Sequence, residues 1–461
     1  MAIVKAYTLP HPPLAIPAVG RGQENEIAKT LAAIDEVASE IAEIAPETII
    51  YITPHSVLYS DHFHISPGDS GHGDLGRFGA SHIKFDVEYD KELIEEISRL
   101  AVSNGISAGT LGERDASMDH GVTVPMWFIN RHYTNYRAIR VSQSGMTPIE
   151  HYLFGQIMAE AVNSTGRRTV VIASSDLSHK LQADGPYGFS SEGPEFDALF
   201  TAALDKGDFL SIFNIPSSLR EEAAECGYNS VTILAGCFDK IDVDAKLLSY
   251  EGPFGVGYAV ASFAPAGRNE DKNTLEKYME QVLTDLNEKR NAEDEYQNLA
   301  RQSLEHIIRT GEMLPVPNGL QADLMQKQAG VFVSIHKNGI LRGCIGTTAP
   351  TTACVAEEII QNAISAGLSD SRFNMVAAEE LPFLVYKVDV LLKPEKISGP
   401  HELDVKKYGV IVKSGIRRGL LLPNLDGVDT VEDQINIACK KAGISDSDSL
   451  ELERFEVIRH E

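Results

Sequence analysis

Apolar positions in the first half of the chain switch between two periods. Ile3 to Thr8 and Thr48 to Thr53 are short runs rich in apolar and β-branched residues. Each reads as a strand, and each stops at prolines, in LPHPP and in TPHS. Between them Ile27, Leu31, Ile34, Val37 and Ile41 recur at helical spacing, so Glu26 to Ile44 is predicted to be an amphipathic helix. Lys91 to Ser103 predicts another helix. Arg137 to Val141 and Thr169 to Ala173 predict two more strands, the second opening into SSDLSH. Glu195 to Leu204 and Leu219 to Cys237 read as mostly helical, and Lys246 to Phe263 as two β-rich runs around EGPFGVGY. Strands alternating with helices predict an α/β domain with a central sheet flanked by helices. Sites in such sheets form at the carboxyl ends of strands.

The pattern changes between Ala266 and Asp294, where Asn, Glu, Lys and Asp crowd out apolar residues. That stretch reads as a linker, with Leu275 to Leu286 as a surface helix. Beyond it the chain predicts a helix over Tyr296 to Thr310 and a hairpin in GVFVSIHKNGILRGCIG, turning at Asn338-Gly339. A helix over Thr352 to Ala366, a strand over Leu384 to Leu392 and a helix over Val431 to Ala442 follow. This half is smaller and α+β in character. The expected division is 1–264 for the first domain, 265–292 for a helical linker and 293–461 for the second domain.

Composition narrows the partners. The 461 residues carry a formal net charge of −25. That leaves no basic footprint for nucleic acid or for an anionic membrane. The five cysteines are odd in number and form no CxxC pair, which fits a reducing compartment. The N-terminus lacks the pattern of a signal peptide and no apolar run is long enough for a membrane helix. A cytoplasmic protein is expected, as is a homo-oligomer.

Of the fourteen histidines, four have informative surroundings. His11 lies in LPHPPL, where prolines stiffen a turn after a strand. His55 follows the second strand. His120 precedes Gly121, which permits close backbone approach, and His179 ends SSDLSH. One such histidine is more often structural than catalytic. Four on one α/β scaffold point to a metal centre. Two neutral imidazoles and a carboxylate would leave positions open on iron(II) for a chelating substrate and dioxygen. Asp61, Asp74, Asp119, Asp176, Glu225 and Glu251 all stand in suggestive surroundings. EGPFGVGY opens no helix and fits a strand bend near the site, not a phosphate loop.

HPP near the N-terminus, PHS, DHG and SSDLSHKL, with ECGYNS and SYEGPFGVGYAVASF further on, resemble the LigB-type class III extradiol ring-cleavage dioxygenases over about residues 1–264. The resemblance implies that His11, His55 and Glu225 hold iron(II), with zinc or another divalent ion as alternatives. It implies catalytic roles for His120 and His179, and a catechol-like small aromatic substrate. The MEMO proteins are similar in fold but use a cysteine in the late ligand region. Cys226, next to Glu225, is therefore the alternative third ligand, or else a small buried hydrophobe.

LRGCIG, DSRF, ELP and LLP resemble the AMMECR-type domain over about residues 293–461. Chains joining both domains resemble the AmmeMemoRadiSam group, which implies a radical SAM enzyme as a partner. Within LRGCIG, Arg342 close to Cys344 is either a device that activates the thiol or part of a tight turn with a buried cysteine. Asp370 and Arg372 are expected to order a loop. Three functions stay open: an iron-dependent dioxygenase, a metal-dependent enzyme of other chemistry on the same scaffold, and a partner protein without a reaction of its own.

Overall fold

The structure, a computed structural model, describes residues 2–112, 117–337, 339–425, 427–445 and 449–461. The chain divides into two compact units, Met1–Met279 and Glu280–Glu461. The division falls inside one helix, Thr274–Ala292. The last strand of the first unit runs on to Arg268, past the expected boundary at 264.

The first unit is α/β. The strands of its main sheet are β1 (Ile3–Leu9), β2 (Thr48–Thr53), β3 (Arg137–Ser142), β4 (Thr169–Ser174), β5 (Ile241–Glu251) and β6 (Tyr258–Arg268). They form one mixed sheet in the order β3-β2-β4-β1-β6-β5. The first four are parallel, with β4 between β2 and β1. β6 and β5 close the edge antiparallel. β2 and β4 are buried at every position, because helices cover both faces. Those helices include α1 (Ala28–Ile44), α2 (Lys91–Ser103), α3 (His120–Ile129), α4 (Pro148–Thr165), α5 (Glu192–Lys206) and α6 (Tyr228–Gly236).

Strand register decides which loops become neighbours. Leu9 pairs with Ser174, Ile52 with Ala173 and Thr53 with Ser142, so β1, β2, β3 and β4 end level. The loops carrying His11, His55 and SSDLSH therefore leave the same end of the sheet side by side.

The expected helix over Leu219 to Cys237 is two helices, Ser217–Ala223 and Tyr228–Gly236. Ala224 stops the first with φ +52°, a left-handed cap. Glu225 and Cys226 lie in the break, so they are not successive positions on a helix.

The second unit has two four-stranded antiparallel sheets and a few helices, an α+β arrangement. Its elements include α7 (Glu295–Thr310), β7 (Val331–Lys337), β8 (Ile340–Gly346), α8 (Val355–Leu368) and β9 (Leu384–Leu391). The expected hairpin joins β7 to β8. Of its turn, Asn338 lies outside the described residues. Among the described residues, no helix is long and apolar enough to cross a membrane.

Two glycines set how α6 packs. A Cβ on Gly155 of α4 would meet the Ile233 carbonyl oxygen at 2.0 Å, and one on Gly236 of α6 would meet that of Tyr152 at 2.0 Å. The helices touch through bare backbone at the C-terminal end of α6. Gly155→Ala and Gly236→Ala should each push the helices apart and destabilise the chain by about 1–3 kcal/mol in denaturant unfolding.

Acid should weaken the same region. His151 of α4 is buried, with Nδ1 donating to the Thr147 carbonyl at 2.9 Å and Nε2 accepting from Ser144 N–H at 3.3 Å. Burial pushes its pKa down to about 4. Between that value and about 6.5 the unfolded chain takes up a proton that the folded chain refuses. Stability contributed by neutral His151 is thus full above pH 6.5 and falls as pH drops towards 4. His151→Gln should flatten that part of a stability–pH curve.

Candidate metal centre

His11 follows β1 and is 1% exposed. Its backbone N–H donates to Asp176 Oδ1 at 2.9 Å, and its ring Nδ1 lies 2.8 Å from Ser174 Oγ. His55 follows β2; its N–H donates to Thr53 Oγ1, whose hydroxyl donates to Asp119 Oδ1 at 2.6 Å. The two imidazoles meet edge to face, with His11 Nε2 and His55 Nε2 2.9 Å apart. Cys226 Sγ lies 3.7 Å from His11 Nε2. These three donor atoms stand within 4.8 Å of one another.

Glu225 is not part of the cluster. Its carboxylate accepts the Tyr228 N–H at 2.6 Å, at the first residue of α6. The third position expected for Glu225 belongs geometrically to Cys226. The carbonyl of Cys226 is held by Gln143 Nε2 at 2.9 Å, and the same amide reaches Ser230 Oγ at 2.8 Å. Gly227 lets this segment press on β4: a Cβ there would lie 2.5 Å from that of Ser175.

His120 and His179 surround the cluster. His120 opens α3 and stacks on His55, with centroids 4.1 Å apart and planes at 21°. Phe78 meets His120 edge-on at 5.5 Å. The exposed ring of Tyr187 meets His179 edge-on at 5.1 Å. The charges of His120 and His179 are felt at His11.

Burial pushes the four imidazoles, Asp176, Glu225 and Cys226 towards their neutral forms. Burial, then repulsion from the other imidazoles, holds His11 well below the usual histidine range. Burial brings His55 down to about 4 and also lowers His120 and His179. Burial raises Asp176 and Glu225 to about 7 and the Cys226 thiol far above its ordinary value. Four neutral imidazoles at pH 7 are four available bases or ligands.

The donor set fits a transition-metal ion. With bond lengths of about 2.0 Å to nitrogen and 2.3 Å to sulfur, donors around a tetrahedral ion stand roughly 3–4 Å apart. The separations of 2.9 and 3.7 Å are of that order. A thiolate and two imidazoles suit iron, zinc or copper.

Sequence reasoning missed Ser174, Thr53 and Gln143, which orient the donors. It treated Asp176 as one carboxylate among many, although Oδ2 lies 3.7 Å from His11 Nε2. The recoverable signal was position: Thr53 and Ser174 are the last residues of their strands. Of the other carboxylates, Glu251 is occupied by Thr30, accepting from its N–H and hydroxyl, and Asp74 by the Gly76 N–H.

In the second unit Arg342 does not activate Cys344. Its guanidinium binds Glu380 and the Asn374 carbonyl. Burial raises the Cys344 thiol, despite Arg372 nearby. Asp370 accepts the Cys344 N–H at 2.9 Å and pairs with Arg372, whose Nη2 donates to the Cys344 carbonyl. These contacts order the loop, as expected of Asp370 and Arg372.

Comparison with known proteins agrees with this division. The family model of the catalytic LigB subunit of aromatic ring-opening dioxygenase matches residues 5–261, and that of AMMECR1 matches residues 297–460. A protein of Clostridium acetobutylicum is 40% identical over 100% of this chain and 99% of its own length. One from Thermotoga maritima is 46% identical over 36% of this chain and 98% of its own. Among solved structures, an uncharacterised Pyrococcus horikoshii protein is 32% identical, with a TM-score of 0.34, over 36% of this chain and 88% of its own.

The two candidates for the third donor separate cleanly by experiment. Cobalt(II) added to the apo-protein should give a sulfur-to-metal charge-transfer band that Cys226→Ala abolishes. Glu225→Gln should keep the band and lose stability by about 1 kcal/mol as the cap weakens. A band surviving in Cys226→Ala would show that another donor takes the third place.

Proposed function

This chain belongs to the LigB family and carries an AMMECR1 domain behind it, and on that premise we propose that it is a metal-dependent oxidoreductase acting on a small catechol-like ring. The observation that carries the reading is the convergence of His11 Nε2, His55 Nε2 and Cys226 Sγ at the ends of β1, β2 and the loop before α6. Iron(II) is the metal the family implies.

A bound ion would supply a Lewis-acidic, redox-active centre for a chelating substrate and dioxygen. The chain's own residues do the rest. His179, neutral at pH 7, accepts a phenolic proton from the substrate. His120, held against His55 by stacking, would offer its ring N–H as a hydrogen-bond donor beside the cluster. Phe78 and Tyr187 offer apolar faces beside these two histidines for a flat ring.

Cys226 favours a second reading. A thiolate in place of a carboxylate makes the site equally suited to zinc or copper. The reaction would then be metal-dependent without oxygen as co-substrate.

The test is metal analysis of anaerobically purified protein, followed by oxygen uptake with a panel of catechols. Iron removed by His11→Ala and His55→Ala, with uptake that falls at least 100-fold in His179→Ala, is the expected result. Zinc, with no oxygen uptake on any catechol, would select the second reading. Working with a radical SAM enzyme, and assembling as a homo-oligomer, are proposals checked by co-purification and light scattering.

A further inference from the structure

The side chain that ends β4 has a proton whose position can be worked out by counting. Ser174 is fully buried, and its hydroxyl touches two groups: the Gly121 carbonyl at 2.6 Å and His11 Nδ1 at 2.8 Å. A hydroxyl has one hydrogen to donate, and a carbonyl can only accept. Ser174 therefore gives its proton to Gly121 and accepts from His11. His11 must then carry its hydrogen on Nδ1, which leaves a lone pair on Nε2, facing His55 and Cys226.

The Gly121 carbonyl needs that proton for a reason visible in the sequence. Gly121 lies in the first turn of α3, and its helical donor would be the N–H four residues on. That residue is Pro125, inside the helix, which has no N–H. Gly121 is buried, and its carbonyl lacks the ordinary helical donor. Gly121 also must be glycine to come this close: a Cβ would lie 2.3 Å from Thr53 Oγ1 and 3.3 Å from Ser174 Oγ.

We propose that Pro125, the Gly121 carbonyl and Ser174 form a relay that fixes His11 in the Nδ1–H tautomer, making Ser174 a positioning residue for the metal centre. The relay also ties His11 to the helix whose first residue is His120, so the ligand and the neighbouring imidazole share one anchor. A buried hydroxyl free to donate either way would leave His11 in two tautomers, one of which points a proton at the ion. The metal half of this inference rests on the proposed metal centre; the tautomer half does not.

The experiment therefore has two arms on the full-length chain. In the first, nitrogen-15 histidine spectra of metal-free protein, with His11 assigned through His11→Asn, report the tautomer directly. Wild type should show His11 protonated at Nδ1. Ser174→Ala and Pro125→Ala should each shift it to a mixture, the second because an alanine in place of the proline supplies the missing N–H and releases the hydroxyl. In the second, cobalt(II) titration should show affinity 10- to 100-fold weaker in Ser174→Ala and within about threefold of wild type in Ser174→Thr. Melting temperatures of the variants separate this from general loss of structure. His11 protonated at Nε2 in wild type overturns the proposal, as does a folded Ser174→Ala protein with an unchanged tautomer. A wild type with the Nδ1–H tautomer that binds no cobalt leaves the relay standing and defeats the metal centre instead.

Discussion

The pairing of β4 with β1 on one side and β2 on the other is the constraint on which the candidate centre depends. Parallel strands in register end level, and here they end with Leu9, Ser174 and Ile52-Thr53 side by side. Each strand end then delivers part of the centre: His11 after β1, His55 after β2, and Ser174 and Asp176 at and after the end of β4. No loop has to travel far to bring them together. A shift of β4 by one residue would turn Ser174 to the opposite face of the sheet, and with it the partner of His11 Nδ1. Gln143, holding the Cys226 carbonyl, and Gly227, pressed on Ser175, then bring in Cys226 from the far side of the sequence.

Packing these groups together has a cost, and the cost is uneven. The imidazoles are pushed into the neutral form, which is the form that binds metal. The thiol is pushed into its neutral form as well, which is not. Burial is the first cause, and the nearby carboxylates of Asp176 and Glu225 add to it. The histidines are thus ready in advance, while Cys226 must release a proton as an ion arrives. A divalent cation is the partner that would reverse the penalty, since it stabilises the thiolate and the neighbouring carboxylates together.

Much of this architecture can be read from the chain. β2, α2 and the last long helix, Val431–Ala442, fall where apolar periodicity places them, because their patterns have clear ends. The imidazoles stand out because each follows a strand. Two buried helices, α3 and α4, escape that reading. α3 is apolar on all sides, contains Pro125 and has β-branched residues in its first turns, so it lacks a helical stripe. α4 has a capping box at Thr147 and Glu150 but also little amphipathic contrast. The choice between Glu225 and Cys226 was beyond reach for a related reason. It turns on Ala224 adopting a left-handed conformation, which splits a segment that reads as one helix. Once the helix breaks, one side chain caps the next helix and its neighbour faces the imidazoles.

The sign of the carboxylate pKa shifts separates this cluster from two ion-paired loops of the second unit. In the second unit the carboxylates go down. The Arg342 guanidinium holds Glu380 at about 2, and that of Arg372 holds Asp370 well below the usual carboxylate range. Those groups are charged and paired, and each pair orders a loop. In the first unit Asp176 and Glu225 go up, with burial as the leading cause and no guanidinium in bonding contact among the described residues. Cys344 and Cys226 make the same contrast between thiols. Both are half-buried beside carboxylates, but the polar contacts around Cys344 hold its backbone, whereas Cys226 presents its sulfur to an imidazole nitrogen. A network that satisfies its own charges has settled into structure. A cluster that suppresses them, with two imidazole nitrogens and a thiol sulfur within 4.8 Å of one another, has the make-up of a site for chemistry.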